Sequence, residues 1–130
     1  MNESHDLSQE QLASNLTEVR LRIAEAAERA GRNPAEITLV AVSKTKPVEL
    51  VEIAYNLGVT DFGENRVQEA LPKIAHFHPA GLRWHLIGHL QSNKVARAVR
   101  GFTMIDSVDT VALLERLDRA KKDFSTELTV

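Results

Sequence analysis

Apolar positions along the chain alternate between two periods, and the alternation recurs at a nearly constant interval. From Ser8 the spacing is three and four residues. Leu12, Leu16, Val19, Ile23 and Ala26 would line one helical face over 8–31, with Ser8 and Gln11 in capping-box positions and Gly31 as the stop. ITLVAVS (37–43) is instead β-branched and continuously apolar, the pattern of a strand covered on both faces. Pro47 suits the first turn of a second helix, whose stripe is Leu50, Val51, Ile53, Ala54 and Leu57 before Gly58 closes it.

The same alternation then repeats. VTDFG (59–63) predicts a second strand, with Asn65 as a cap for a helix that buries Val67, Leu71, Ile74 and Phe77 and is kinked by Pro72. RWHLIGH (83–89) predicts a third strand and NKVARAVR (93–100) a short helix ended by Gly101. FTMIDS (102–107) predicts a fourth strand, followed by a helix with Val111, Leu114, Leu117 and Ala120 on its buried face; ELTV (127–130) begins a fifth.

Strand centres at Val42, Phe62, Ile87, Ile105 and Leu128 are separated by 20, 25, 18 and 23 residues. Strand–helix units of that length force parallel strands with right-handed crossovers. An open doubly wound sheet and a TIM-type (β/α)8 barrel both satisfy this, but the first βα turn, SKTKP, has no glycine-rich phosphate loop. The expected fold is therefore α/β, a single partial barrel domain over 1–130. The leading helix precedes four βα units and the start of a fifth strand over 37–130, about half of an eight-unit barrel.

Composition narrows the function classes. The 130 residues are 43% hydrophobic and 26% charged with a formal net charge of −2, so no overall basic field favours nucleic acid or an anionic membrane. The absence of cysteine removes disulfides, thiolate metal sites and cysteine nucleophiles. No apolar run has the length of a membrane span and MNESHDLSQEQ lacks a basic-then-apolar signal, so a cytoplasmic location is expected.

Chemistry in parallel α/β folds belongs at the C-terminal ends of the strands. Polar groups gather there in four consecutive turns: Ser43, Lys44, Thr45 and Lys46; Gly63, Glu64, Asn65 and Arg66; His85, Gly88, His89, Gln91 and Ser92; Asp106, Ser107 and Asp109. Lys44 alternates onto the face of Val40 and Val42. Two readings stand for it: a strand-end lysine reaching solvent, or an amine at the top of an apolar shaft, where desolvation favours the free base needed for Schiff-base chemistry. His85 and His89 are four apart but flank a strand and lack a carboxylate partner of the HExxH type, so no metal site is expected. His76 and His78 would meet carbonyls at a helix end, and Lys94, Arg97 and Arg100 form a solvated basic face without the aromatics of an RNA platform.

AVSKTKP, FGENRVQEALPKI and WHLIGHLQSNK, in this order and spacing, resemble the pyridoxal phosphate homeostasis protein family over nearly the whole chain. The resemblance implies a fold similar to the N-terminal barrel of alanine racemase. It also implies pyridoxal 5′-phosphate (PLP) held as a Schiff base on Lys44, with Asn65, His85 and the Gly88–Ser92 turn around the cofactor. The implied function is intracellular vitamin B6 and amino-acid homeostasis without an established catalytic activity, with PLP-dependent apo-enzymes as possible recipients. Members of that family run on well beyond this length, so the phosphate-gripping residues are expected past residue 130. A half-barrel would expose Val40, Val42, Leu86 and Ile105 and two sheet edges, which favours self-association, whereas the full-length protein is expected to be a monomer. The alternatives are a PLP-dependent racemase, for which the sole tyrosine, Tyr55, is poorly placed within a crossover helix, and a non-catalytic interaction module.

Overall fold

A computed structural model describes residues 8–130. Helix α1 (Gln9–Arg29) starts as its sequence dictates. The Ser8 hydroxyl accepts the Gln11 N–H, and the Gln11 side chain accepts the Ser8 N–H in return. Its buried positions are Leu16 and Ala27 with Leu12 partly covered, while Val19 and Ala26 face solvent. The spacing put Val19 and Ala26 on the buried face. The helix in fact contacts the rest of the fold along a narrower seam, one that includes Arg20, whose guanidinium donates to the Leu57 carbonyl at 3.0 Å.

Four strands follow, β1 (Val40–Val42), β2 (Asp61–Glu64), β3 (Arg83–Leu86) and β4 (Met104–Ile105), paired in parallel in the order β1-β2-β3-β4. A parallel bridge from Met104 to Thr129 continues the series at the position of ELTV. A doubly wound sheet reverses its strand order at a switch point; here each strand lies beside the next in sequence, as in a barrel wall. The helices α2 (Val48–Asn56), α3 (Val67–His76), α4 (Val95–Gly101) and α5 (Val111–Phe124) are the crossovers. α3 runs through Pro72, and α4 is preceded by a 3-10 turn over Ser92–Lys94.

The pleat decides which residues form the core. Phe62, Trp84, Leu86 and Ile105 point to the helices and are almost completely buried with Val51, Val99 and Leu117. Leu86 and Ile105 are therefore not on the open face, as the half-barrel argument expected: they sit one pleat away from it, under the crossovers. The face opposite the helices carries the row Val42, Gly63, His85 and Met104. Val42 is 53% exposed there.

Two further expectations differ. α5, started by the Thr110 hydroxyl capping the Leu113 N–H at 3.1 Å, packs Leu117 and Ala120 on the core as expected but adds Leu113 and leaves Val111 and Leu114 exposed. Asn65 is not the cap of α3: the N-cap position is Arg66, and it makes no side-chain cap bond. The Asn65 backbone is instead engaged by the next turn of the barrel wall, as described below.

Candidate functional site

The C-terminal ends of the strands are tied together turn by turn. A Cβ on Gly88 would run into the Asn65 carbonyl and come within 2.9 Å of the Asn65 Cα, so glycine is what lets the loops after β2 and β3 touch. The Gly88 carbonyl in turn accepts the Ser107 hydroxyl at 2.5 Å, linking the loop after β4. Asn65 and Gly88 thus lie together, and with Arg66, Gln68, His89 and Lys94 they line an open cleft of about 640 Å³. Ser92 lies apart from it, exposed, in a shallower groove with Val95, Ala96 and Arg116.

Lys44 follows β1 at the same end of the sheet. Its side chain is exposed, and it makes no ion pair or side-chain hydrogen bond among the described residues. The turn that carries it is tightly built. The Lys46 N–H donates to the Ser43 carbonyl at 3.1 Å, which puts Lys44 and Thr45 at the two central positions. Thr45 has φ of 63°, a left-handed conformation that a β-branched residue rarely adopts.

His85 is buried on the open-face row, between two carboxylates. Its Nε2 is 2.7 Å from Asp61 Oδ2 and its Nδ1 3.0 Å from Asp106 Oδ2. Arg83 adds a two-pronged bond to Asp61, at 2.8 and 3.0 Å, and the Thr60 hydroxyl donates to the same carboxylate at 2.8 Å. Burial alone would push the Asp61 carboxyl up, but the hydrogen bonds from Arg83, His85 and Thr60 together hold it below the usual carboxylate range. His89 lines the cleft instead, so the two histidines of the four-residue spacing do not converge. Among the described residues no cluster of three or more His, Asp or Glu side chains could hold a metal ion.

The depressed Asp61 carboxyl has a consequence for pH dependence. A carboxylate whose folded pKa lies below its unfolded value stabilises the fold fully above that unfolded value, about 3.9, and loses the contribution as pH falls through the folded one. Asp61→Asn is therefore expected to lower stability at pH 7 by about 1–3 kcal/mol and to flatten the acid decline below about pH 4. Urea unfolding between pH 3 and pH 7 checks both; an unchanged acid limb would show that the carboxylate makes no linkage contribution.

A second ionic network lies on the helix side. Glu64 is fully buried, accepts the Ser43 hydroxyl at 2.5 Å and pairs with Lys73 at 3.1 Å. Lys73 also donates to the Ser43 carbonyl at 2.9 Å, and Glu69 accepts the Thr45 N–H at 2.5 Å. The residue pattern alone assigns no role to Asp61, Glu69 or Lys73, and none to Glu64 or Asp106 beyond their place at strand ends. The available signal was Asp61 and Glu64 inside an otherwise apolar strand: charge in a strand covered on both faces must find a partner. The remaining polar residues of the outer layer play local parts. His78 bonds the Ile74 carbonyl as expected of a helix-end histidine, whereas His76 pairs with Glu52. Tyr55 packs edge-on against Phe77 at 5.4 Å.

No protein-family model matches the chain. A curated "pyridoxal phosphate homeostasis protein" of Pseudomonas aeruginosa is 46% identical over 110 residues, 85% of this chain and 48% of that protein. Among solved structures, PipY of Synechococcus elongatus with PLP bound is 47% identical, with a TM-score of 0.67 over 79% of this chain and 50% of its own. An unknown protein of Bifidobacterium adolescentis reaches a TM-score of 0.80 at 30% identity, over 94% of this chain and 54% of its own. The chain spans about half the length of the curated relatives it matches.

Proposed function

The chain belongs to the pyridoxal phosphate homeostasis protein family, and we propose that it binds PLP as a Schiff base on Lys44 and serves intracellular vitamin B6 and amino-acid homeostasis as a carrier rather than as an enzyme. The observation that carries this reading is an exposed amine with no partner among the described residues, on a strained turn at the end of the sheet where the mouth cleft opens. The residues fit the group. An aldehyde needs an amine free to attack it, and a ring hydroxyl needs donors, which Asn65, Arg66, His89 and Lys94 offer from the cleft wall. His85, locked between Asp61 and Asp106, shapes the floor of the open face. The relatives support a part in PLP homeostasis by name, and PipY supports cofactor binding by its bound PLP.

The carrier reading is favoured over a racemase because racemisation needs a second acid or base across the cofactor. Tyr55 is packed on Phe77 in the outer helical layer and does not reach the mouth. PLP-dependent apo-enzymes are the recipients this reading implies. Adding PLP to the intact protein is expected to produce a visible imine band with no α-hydrogen exchange on an added amino acid. Exchange that requires Lys44 would overturn the carrier reading, and a missing band would overturn cofactor binding.

A further inference from the structure

Three contacts converge on the residues either side of Lys44, two on their backbone and one on the Ser43 hydroxyl, and all come from the β2–α3 unit. Lys73 Nζ donates to the Ser43 carbonyl at 2.9 Å, Glu64 takes the Ser43 hydroxyl at 2.5 Å, and Glu69 takes the Thr45 N–H at 2.5 Å. None of them touches the Lys44 side chain. We propose that Glu64, Glu69 and Lys73 are positioning residues that hold the Ser43–Lys46 turn in shape and so set the direction in which the Lys44 amine leaves the sheet. The proposal rests on the reading of Lys44 as the cofactor amine.

The physical need for such a clamp lies in the turn. Its third position has positive φ, where glycine is the ordinary choice, yet the residue is threonine. A left-handed non-glycine residue persists only where its surroundings over-determine it. Glu69 supplies the determinant at the Thr45 amide, and that amide in turn holds the Glu69 carboxyl below its usual range, with Lys73 and Arg66 adding to the effect against the cost of burial. Lys73 is anchored by the fully buried Glu64, so the donor to the Ser43 carbonyl is fixed from the core outward. Thr45 in this conformation breaks the strand direction immediately after Lys44, so the turn that frames Lys44 depends on it.

The test uses Glu69 because it is the most exposed of the three, at 33% against 12% for Lys73 and none for Glu64. In the intact protein, Glu69→Ala is expected to lower PLP affinity, read from the imine absorbance, by about tenfold. In the cofactor-free protein the same variant is expected to accelerate hydrogen exchange of the Thr45 amide by about tenfold. Glu69→Gln keeps an acceptor oxygen and should recover most of both losses. In a Thr45→Gly background, where positive φ carries no steric cost, Glu69→Ala should cost several-fold less than in the parent. Wild-type affinity and exchange in Glu69→Ala, while Lys44→Ala loses the imine, would overturn the clamp and leave the Lys44 reading intact. Retention of the imine in Lys44→Ala would overturn both. Equal losses in the threonine and glycine backgrounds would show that Glu69 acts other than through the turn.

Discussion

Lys44→Ala is expected to abolish the PLP imine band and to weaken cofactor retention by about a hundredfold, the equivalent of roughly 2.7 kcal/mol. Borohydride reduction of the loaded protein should fix a pyridoxyl group on Lys44. The structure separates this lysine from its neighbours by what each amine already does. Lys73 is committed to Glu64, the Ser43 carbonyl and Glu69, and it is only 12% exposed. Lys46 is half-buried beside an apolar groove formed by Leu12, Leu50 and Ala54. Lys94 lines the cleft between the loops after β2 and β3 and is the competitor that sits in that cleft. Lys46→Ala should therefore keep the band. Peptide mapping that found the label chiefly on Lys94 would move the attachment point across the cleft and sink the assignment to Lys44.

How much of this was legible in the residues differs between the fold and the site. Strand positions and parallel order follow from a period change repeated at near-constant spacing, which a backbone can satisfy in few ways. Helix faces were less certain, because a periodic stripe leaves the phase free by one residue until a cap or a contact fixes it. In α5 the packing selects Leu113 over Val111 and Leu114 while keeping Leu117. Among the candidate site residues, Lys44 is conspicuous as charge after an apolar run, but that pattern alone leaves a solvated strand end open; its proposed role, like those of Asn65 and Gly88, comes with the motif resemblance. What could not be read was the role of pairs distant in sequence. Glu64 with Lys73, and His85 with Asp61 and Asp106, meet only through β pairing and a crossover. The turn conformation of Thr45 was equally hidden: SKTKP contains no glycine to mark a positive φ.

The largest stability effect is expected from Lys73→Met. Glu64 is completely buried, and its two oxygens are met by Lys73 Nζ at 3.1 and 3.2 Å and by the Ser43 hydroxyl. Removing the lysine leaves a buried carboxylate with a single neutral donor, a loss that typically costs about 3–5 kcal/mol. That is a large part of the roughly 5–15 kcal/mol that holds a domain folded. Glu64→Leu should cost less, because the Lys73 amine keeps the Ser43 carbonyl and Glu69 and has an aliphatic stem long enough to reach water. The double variant Glu64→Leu/Lys73→Met places apolar groups of similar volume where the ions were, so it should be more stable than Lys73→Met alone, with a coupling of about 1–3 kcal/mol. Chemical unfolding of the three variants measures the cycle. A Lys73→Met protein within about 1 kcal/mol of wild type would mean the pair is not a buried anchor. The donor that fixes the Ser43 carbonyl beside Lys44 would then rest on nothing deeper than α3 itself.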